Sequence, residues 1–187
     1  MIESRIYKAL AIVLKRKNYR EKDRIITGFT KEYGKIRLIA RGVRRINSRR
    51  APFLEIFSQV AIVAHRGKVF DSISEAQGIS DFGLLRQDLK KVGIAYLLCE
   101  LVDALLAEKQ EHRDVYGLLL RALNSLNTKG TSRLHQTGRK FALELLWDLG
   151  FLPRGHVLRG SILQDFIENI TEKRLCSPKL IRQLFNT

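Results

Sequence analysis

Over the first eighty residues, apolar and polar positions alternate in short runs bounded by turn residues. Ile6–Leu14 is a β-rich run that ends in the polar stretch Lys15–Lys22, and Arg24–Thr30 follows. Next comes Lys31-Glu32-Tyr33-Gly34, where glycine can supply the positive φ of a tight turn. In Lys35–Val43, Ile36, Leu38 and Ala40 alternate with Lys35, Arg37, Ile39 and Arg41, which predicts a half-buried strand with cations on its open face. Arg44–Pro52 is a basic loop. Glu55–Ala64 is strongly β-prone, turns at His65-Arg66-Gly67-Lys68 and returns through Val69–Ala76. Five short strands with no long helix between them predict a small closed barrel of the OB type rather than a sandwich.

After Ser80 the period changes. Val92–Ala107 places Ala95, Leu98, Val102, Leu105 and Leu106 on one face at helical spacing, and Asp114–Leu126 does the same with Val115, Leu118, Leu119 and Ala122. A third helix is expected over Thr131–Leu149, capped by Thr131 or Ser132 and stopped by Gly150-Phe151-Leu152-Pro153. Ser161-Ile162-Leu163-Gln164 has the spacing of a capping box for a short helix to Ile170. Ser177-Pro178 fits the start of a last one. The expected class is α+β: a five-stranded barrel over residues 1–80, then an all-α bundle over 81–187.

Charge gives this fold a distinctive surface. The chain of 187 residues carries 34 Lys+Arg against 19 Asp+Glu, a net of +15. Residues 1–80 hold +11 of it, and residues 15–50 alone account for +11, whereas 81–187 hold +4. A coat that only keeps a protein in solution has no reason to gather on one stretch, so the excess points to a polyanion. A membrane surface is the weaker reading of that polyanion, because the basic run has strand rather than amphipathic-helix periodicity.

Candidate chemistry is sparse. His65, His112, His135 and His156 lack metal-ligand spacing, and Cys99 and Cys176 form no CxxC pair. Cys99, within an apolar helical run, reads as a small core side chain. No phosphate loop of the GxxxxGK[ST] form occurs. Glu21 and Asp23 alternate with Lys22 and Arg24, which suits ion pairing better than a two-metal site. No cofactor, no metal and no catalytic activity are expected. The longest apolar run, Val92–Ala107, is interrupted by Glu100 and Asp103, so neither a membrane span nor a signal peptide is expected and the protein is placed in the cytoplasm.

OB barrels hold strands of nucleic acid across strands 2 and 3 and between the loops joining strands 1–2 and 4–5. Here the first loop would carry Lys15, Arg16, Lys17, Tyr19, Arg20 and Lys22, and the second Arg66 and Lys68. Strand 3 would add Lys35, Arg37 and Arg41, and the following loop Arg44, Arg45, Arg49 and Arg50. Cations along such a groove neutralise phosphates and release counterions, a strong and sequence-blind source of affinity. Tyr19 and Tyr33 are candidates for base stacking, while Phe29, Phe53 and Phe57 read first as core.

The same residues carry a family resemblance. Ala11-Ile12-Val13-Leu14 leads into NYREKDRIITGFTKEYGKIRLIARGVRRINSR at 18–49, which resembles the RecO pattern of an aromatic-x-Glu-x-Asp segment, T-x-x-x-G-K and A-R-G-x-R. GRKFALELLWDLGFLPR at 138–154 is similar to the family's helix with an Arg-rich start and an LLxxLGF-x-P end. The resemblance implies a non-catalytic mediator of DNA repair and recombination. Such a protein binds single- and double-stranded DNA, anneals complementary strands, and works with RecR and the C-terminal tail of the single-stranded DNA-binding protein. By the same resemblance Arg139 and Lys140 would meet the acids of that tail. Many members follow GF-x-P with a four-cysteine zinc module, where this chain has Arg154-Gly155-His156-Val157-Leu158-Arg159-Gly160, so zinc is not carried over. An RNA-binding OB module of ribosome or tRNA biology, and a DNA-modifying or cleaving enzyme, are the competing readings.

Overall fold

The computed structural model describes residues 5–130 and 134–172, and the side chain of His135 is not among them. Thr131, Ser132, Cys176 and Ser177-Pro178, which carried sequence expectations, lie outside the described residues. The chain divides into two compact units. One holds the residues up to Asp81 together with Ala107–Arg113, and the other holds Phe82–Leu106 and the residues from Asp114 onward.

The first unit is the expected OB-type barrel. β1 (Ile6–Tyr19), β2 (Asp23–Thr30), β3 (Gly34–Ala40), β4 (Gln59–His65) and β5 (Asp71–Ser80) close in the order β1-β2-β3-β5-β4, with β4 returning to β1. All pairings are antiparallel except β3 with β5, which touch through Leu38 and Ile39. Alternate residues point inward because the pleat has a period of two. Tyr7, Ala9, Ala11 and Val13 of β1 therefore meet Val60, Ile62 and Ala64 of β4 in one core. A 3-10 turn, Ala51–Leu54, sits against β4 and β5 with Leu54 fully buried.

Boundaries move where tertiary pairing outweighs local composition. The polar stretch after Leu14 is not a loop: β1 gains one residue between Val13 and Lys15 and then continues, paired with β2, to Tyr19 opposite Asp23. A bulge of this kind re-aims a strand without ending it. Val13 also exchanges hydrogen bonds with the chain before β4, its N–H donating to the Ser58 carbonyl at 3.0 Å and its carbonyl accepting from Phe57 at 2.8 Å. That exchange holds Phe57 at φ +76°, so β4 begins at Gln59 and not at Glu55. β5 runs Asp71–Ser80 rather than the expected Val69–Ala76, since its pairing with β4 extends to Ser80 opposite Gln59.

Ala107–Arg113 follows a helix in sequence yet returns to the barrel. The Lys109 N–H donates to the Lys35 carbonyl at 2.8 Å, and Arg37 pairs with Glu108 at 2.7 Å. Gly34, at φ +65°, makes this approach possible, since a Cβ there would lie 1.8 Å from the Gln110 carbonyl oxygen.

In the second unit a short α1 (Gly83–Arg86) precedes α2 (Leu89–Leu105), α3 (Arg113–Leu126), α4 (Leu134–Asp148) and α5 (Ser161–Thr171). The Asp88 side chain accepts from the N–H groups of Lys90 and Lys91 and starts α2. α2 is buried on more than the expected face, with Ile94, Leu97 and Leu101 joining Ala95, Leu98 and Val102. α4 stops as predicted: Gly150 adopts φ +77°, its N–H donates to Trp147, and the Phe151 N–H donates to Leu146. The capping box expected at Ser161 does not form. Gly160 is the N-cap without a side-chain bond, and Gln164 instead donates to Glu168 at 3.0 Å. Among the described residues no helix is long and apolar enough to cross a membrane.

Candidate nucleic-acid interface

The β1–β2 hairpin ends in a tight turn, Arg20-Glu21-Lys22, with Arg20 at φ +52°. Residues 41–50 fold back against that turn. The Arg44 N–H donates to the Lys22 carbonyl at 3.0 Å, and its guanidinium donates to the carbonyls of Glu21 (2.8 Å) and Arg20 (3.3 Å). The Gly42 N–H donates to the Asp23 carboxylate at 2.8 Å. At the other end of the loop the Arg50 guanidinium donates to the carbonyls of Arg41 (2.7 Å), Ile73 and Ser74. A loop of like charges would spread apart in water; backbone carbonyls of the hairpin and of β5 hold this one in place.

The outcome is a shallow bowl of about 740 Å³ between turn and loop. Lys22, Arg41, Arg44, Arg45, Arg49 and Arg50 line it, against one carboxylate, Glu21. Arg41, Arg44, Arg45 and Arg49 are exposed, and Ile46 projects fully into solvent. A concave surface with this imbalance concentrates field and attracts phosphates.

The other predicted cations occupy different positions. Lys15 and Lys17 stand exposed along the β1 arm, not in a loop. Arg16 is tied to Glu55, which also accepts from Arg24 at 3.2 Å. Arg37 is exposed but held by Glu108. Lys35 is buried at 8% exposure, because Ala107–Arg113 runs beside its end of β3; of the cations expected on that strand's open face, Arg37 stays exposed within β3 and Arg41 lies just past its end, in the bowl.

The β4–β5 loop lies beside the hairpin. The rings of Tyr19 and Phe70 meet edge-on at 6.4 Å, and the Arg20 guanidinium sits 5.3 Å from the Tyr19 ring. Arg66 covers Tyr7 and Tyr33, at 5.2 and 5.9 Å, and those two rings pack edge-on at 4.7 Å, so Tyr33 serves the barrel end rather than an open platform. Tyr7 donates to Asp71 at 2.6 Å, and Asp71 accepts from the Gly67 N–H at 3.0 Å, which fixes the loop bearing exposed Lys68. Burial, then this hydrogen bond and the Asp71 charge, push the Tyr7 phenol far above its ordinary range. Phe29 and Phe57 are core, as read, but Phe53 is 38% exposed. Sequence reasoning passed over Phe70, although an aromatic two residues past a basic turn is a usable signal.

In the helical unit Arg139 is half-buried on α4, and its Nε is buried without a hydrogen-bond partner among the described residues. Lys140 is exposed and lies 3.7 Å from Glu144. Among the described residues no group of three or more His, Cys, Asp or Glu side chains is placed to hold a metal ion.

Comparison with known proteins adds an independent line. Residues 1–82 match the family model described as Recombination protein O N terminal, and residues 86–157 match Recombination protein O C terminal. The chain is 33% identical over 153 residues to a protein of Roseiflexus sp. (strain RS-1) named DNA repair protein RecO, covering 82% of this chain and 53% of that one. Proteins of the same name from Symbiobacterium thermophilum and Bifidobacterium adolescentis are 36% and 35% identical over 79% and 80% of this chain. These matches take in 58% and 61% of the two relatives, so the chain spans little more than half the length of the relatives it matches.

Proposed function

The chain belongs to the RecO family, and from that premise we propose that it acts in DNA repair and homologous recombination as a mediator without catalytic activity of its own. In this reading the barrel binds single-stranded DNA, brings complementary strands together, and works with RecR to load a recombinase. The bowl between the β1–β2 turn and residues 41–50 carries the proposal. Six cations face one carboxylate there, and backbone carbonyls hold part of that charge in place before any DNA arrives. Charge held ready in this way binds phosphates at a lower entropic cost than a mobile tail does.

A role for the helical unit in partner docking fits Arg139. Its Nε is a buried donor without an acceptor among the described residues, and a carboxylate from an acidic peptide would satisfy it. The C-terminal tail of the single-stranded DNA-binding protein, acidic and apolar-ended, has that chemistry. The deciding experiment is strand annealing with complementary fluorescent oligonucleotides, with and without the single-stranded DNA-binding protein. Annealing faster than the spontaneous rate supports the mediator. A preference for structured RNA over DNA in competition favours an RNA-binding module, and turnover of DNA with any divalent metal would replace the proposal with an enzyme.

A further inference from the structure

A second depression, of about 690 Å³, lies on the barrel beside the basic bowl, and Arg49 and Arg50 line both. Its chemistry differs from the bowl's. Outward-facing Leu10, Ala61 and Val63 give it an apolar surface, and Lys8 adds one more cation. The carboxylates are Glu32 and Glu75, of which Glu32 already accepts from the Leu10 N–H at 3.1 Å.

Phe53 also lines this groove. Its ring is pressed close to Gly78 of β5, where a Cβ would come within 2.6 Å of the ring. Phe53 is nonetheless 38% exposed, while its neighbour Leu54 is fully buried and anchors the turn. The ring is therefore held from one side and open on another, at the junction of an apolar surface and two arginines.

We infer that this groove continues the DNA track of the basic bowl and receives unpaired bases, with Phe53 as the stacking platform. The inference rests on the reading of the barrel as a binder of single strands. Phosphates have no reason to enter an apolar surface, but bases do, and an exposed aromatic offers any base a π-face. Arg49 and Arg50 would hold the backbone where the strand passes from one depression to the other. Duplex DNA keeps its bases stacked inside, so it can use the bowl but not the groove.

The test measures affinity of the full chain for an oligothymidylate and for a duplex of equal length, by fluorescence anisotropy. Oligonucleotides carrying one 2-aminopurine at successive positions report base stacking. Phe53→Ala is expected to weaken single-strand binding on the order of tenfold, to leave duplex binding unchanged, and to abolish the 2-aminopurine quenching at one or two positions. Phe53→Trp should restore both. Gly78→Ala, which displaces the ring without removing it, should reproduce the loss.

Equal effects of Phe53→Ala on single strand and duplex, or none on either, would overturn the inference while leaving single-strand binding standing. So would loss of binding to an acidic, apolar-ended peptide with single-strand affinity intact, since the groove would then be a peptide site. Absence of single-strand binding by the unaltered chain would remove the underlying reading, and this inference with it.

Discussion

Replacing Arg45 and Arg49 together by Ala removes two exposed cations of the bowl for which the loop geometry shows no structural duty. Arg44 and Arg50 are different, because each donates to backbone carbonyls that shape the site. If all six cations of the bowl contact phosphates of a single strand, log K should fall against log salt with a slope of about 4, at roughly 0.7 per contact. Between about 50 and 200 mM salt the unaltered chain should then lose about 300-fold in affinity. With four contacts left, the slope should be about 3 and the loss about 50-fold. The assay is a salt titration of anisotropy with a labelled oligothymidylate, alongside a urea melt of each variant. The double variant should bind more weakly at low salt and converge on the unaltered chain as salt rises, with its melt unchanged. An unaltered slope in a variant that still folds would mean that phosphates do not enter the bowl, and the reasoning would fail.

Other outcomes follow from single contacts. Arg44→Ala should lower stability as well as DNA affinity, by about 1 kcal/mol in a urea melt, because it leaves the hairpin-turn carbonyls without their donor. Gly34→Ala should cost at least about 2 kcal/mol by the same measurement, from the left-handed backbone and the collision with Gln110. The unfolded Tyr7 phenol ionises near 10.0 and the folded one higher, so its contribution is present below that pH and lost as pH rises above it. Melts at rising alkaline pH should show this loss, and Tyr7→Phe should reduce it. Arg139→Ala with Lys140→Ala should weaken binding of an acidic, apolar-ended peptide and leave DNA affinity nearly intact; the opposite result would place the two sites the wrong way round. Burial pushes the Cys99 thiol far above its ordinary range, so peptide mapping after brief alkylation should find Cys99 unmodified in the native protein.

Much of this molecule could be read along the chain. Strand number, the shift to helical spacing after Ser80 and the stop at Gly150 are local properties, set by which side of a strand or helix can leave water and by which residues tolerate a left-handed turn. Concentration of charge within residues 15–50 is likewise a matter of composition. Pairing decided the rest, because it joins residues that the chain keeps far apart. A polar run became the arm of β1 since β2 supplies partners for its backbone whatever its side chains are. Lys35, drawn as an open-face cation, is buried because residues more than seventy positions later run beside it. Arg44 and Arg50 differ from Arg45 and Arg49 in finding carbonyls of the β1–β2 turn and of β5 within reach, a distinction no pattern of arginines contains. Phe53 reads as core by type, yet its ring stays partly in water, because the small space above Gly78 is offered by β5 and not by its own segment. Periodicity settles which side of an element is dry, whereas the neighbour that dries it, and the cations left free to meet a phosphate, depend on contacts that exist only once the barrel has closed.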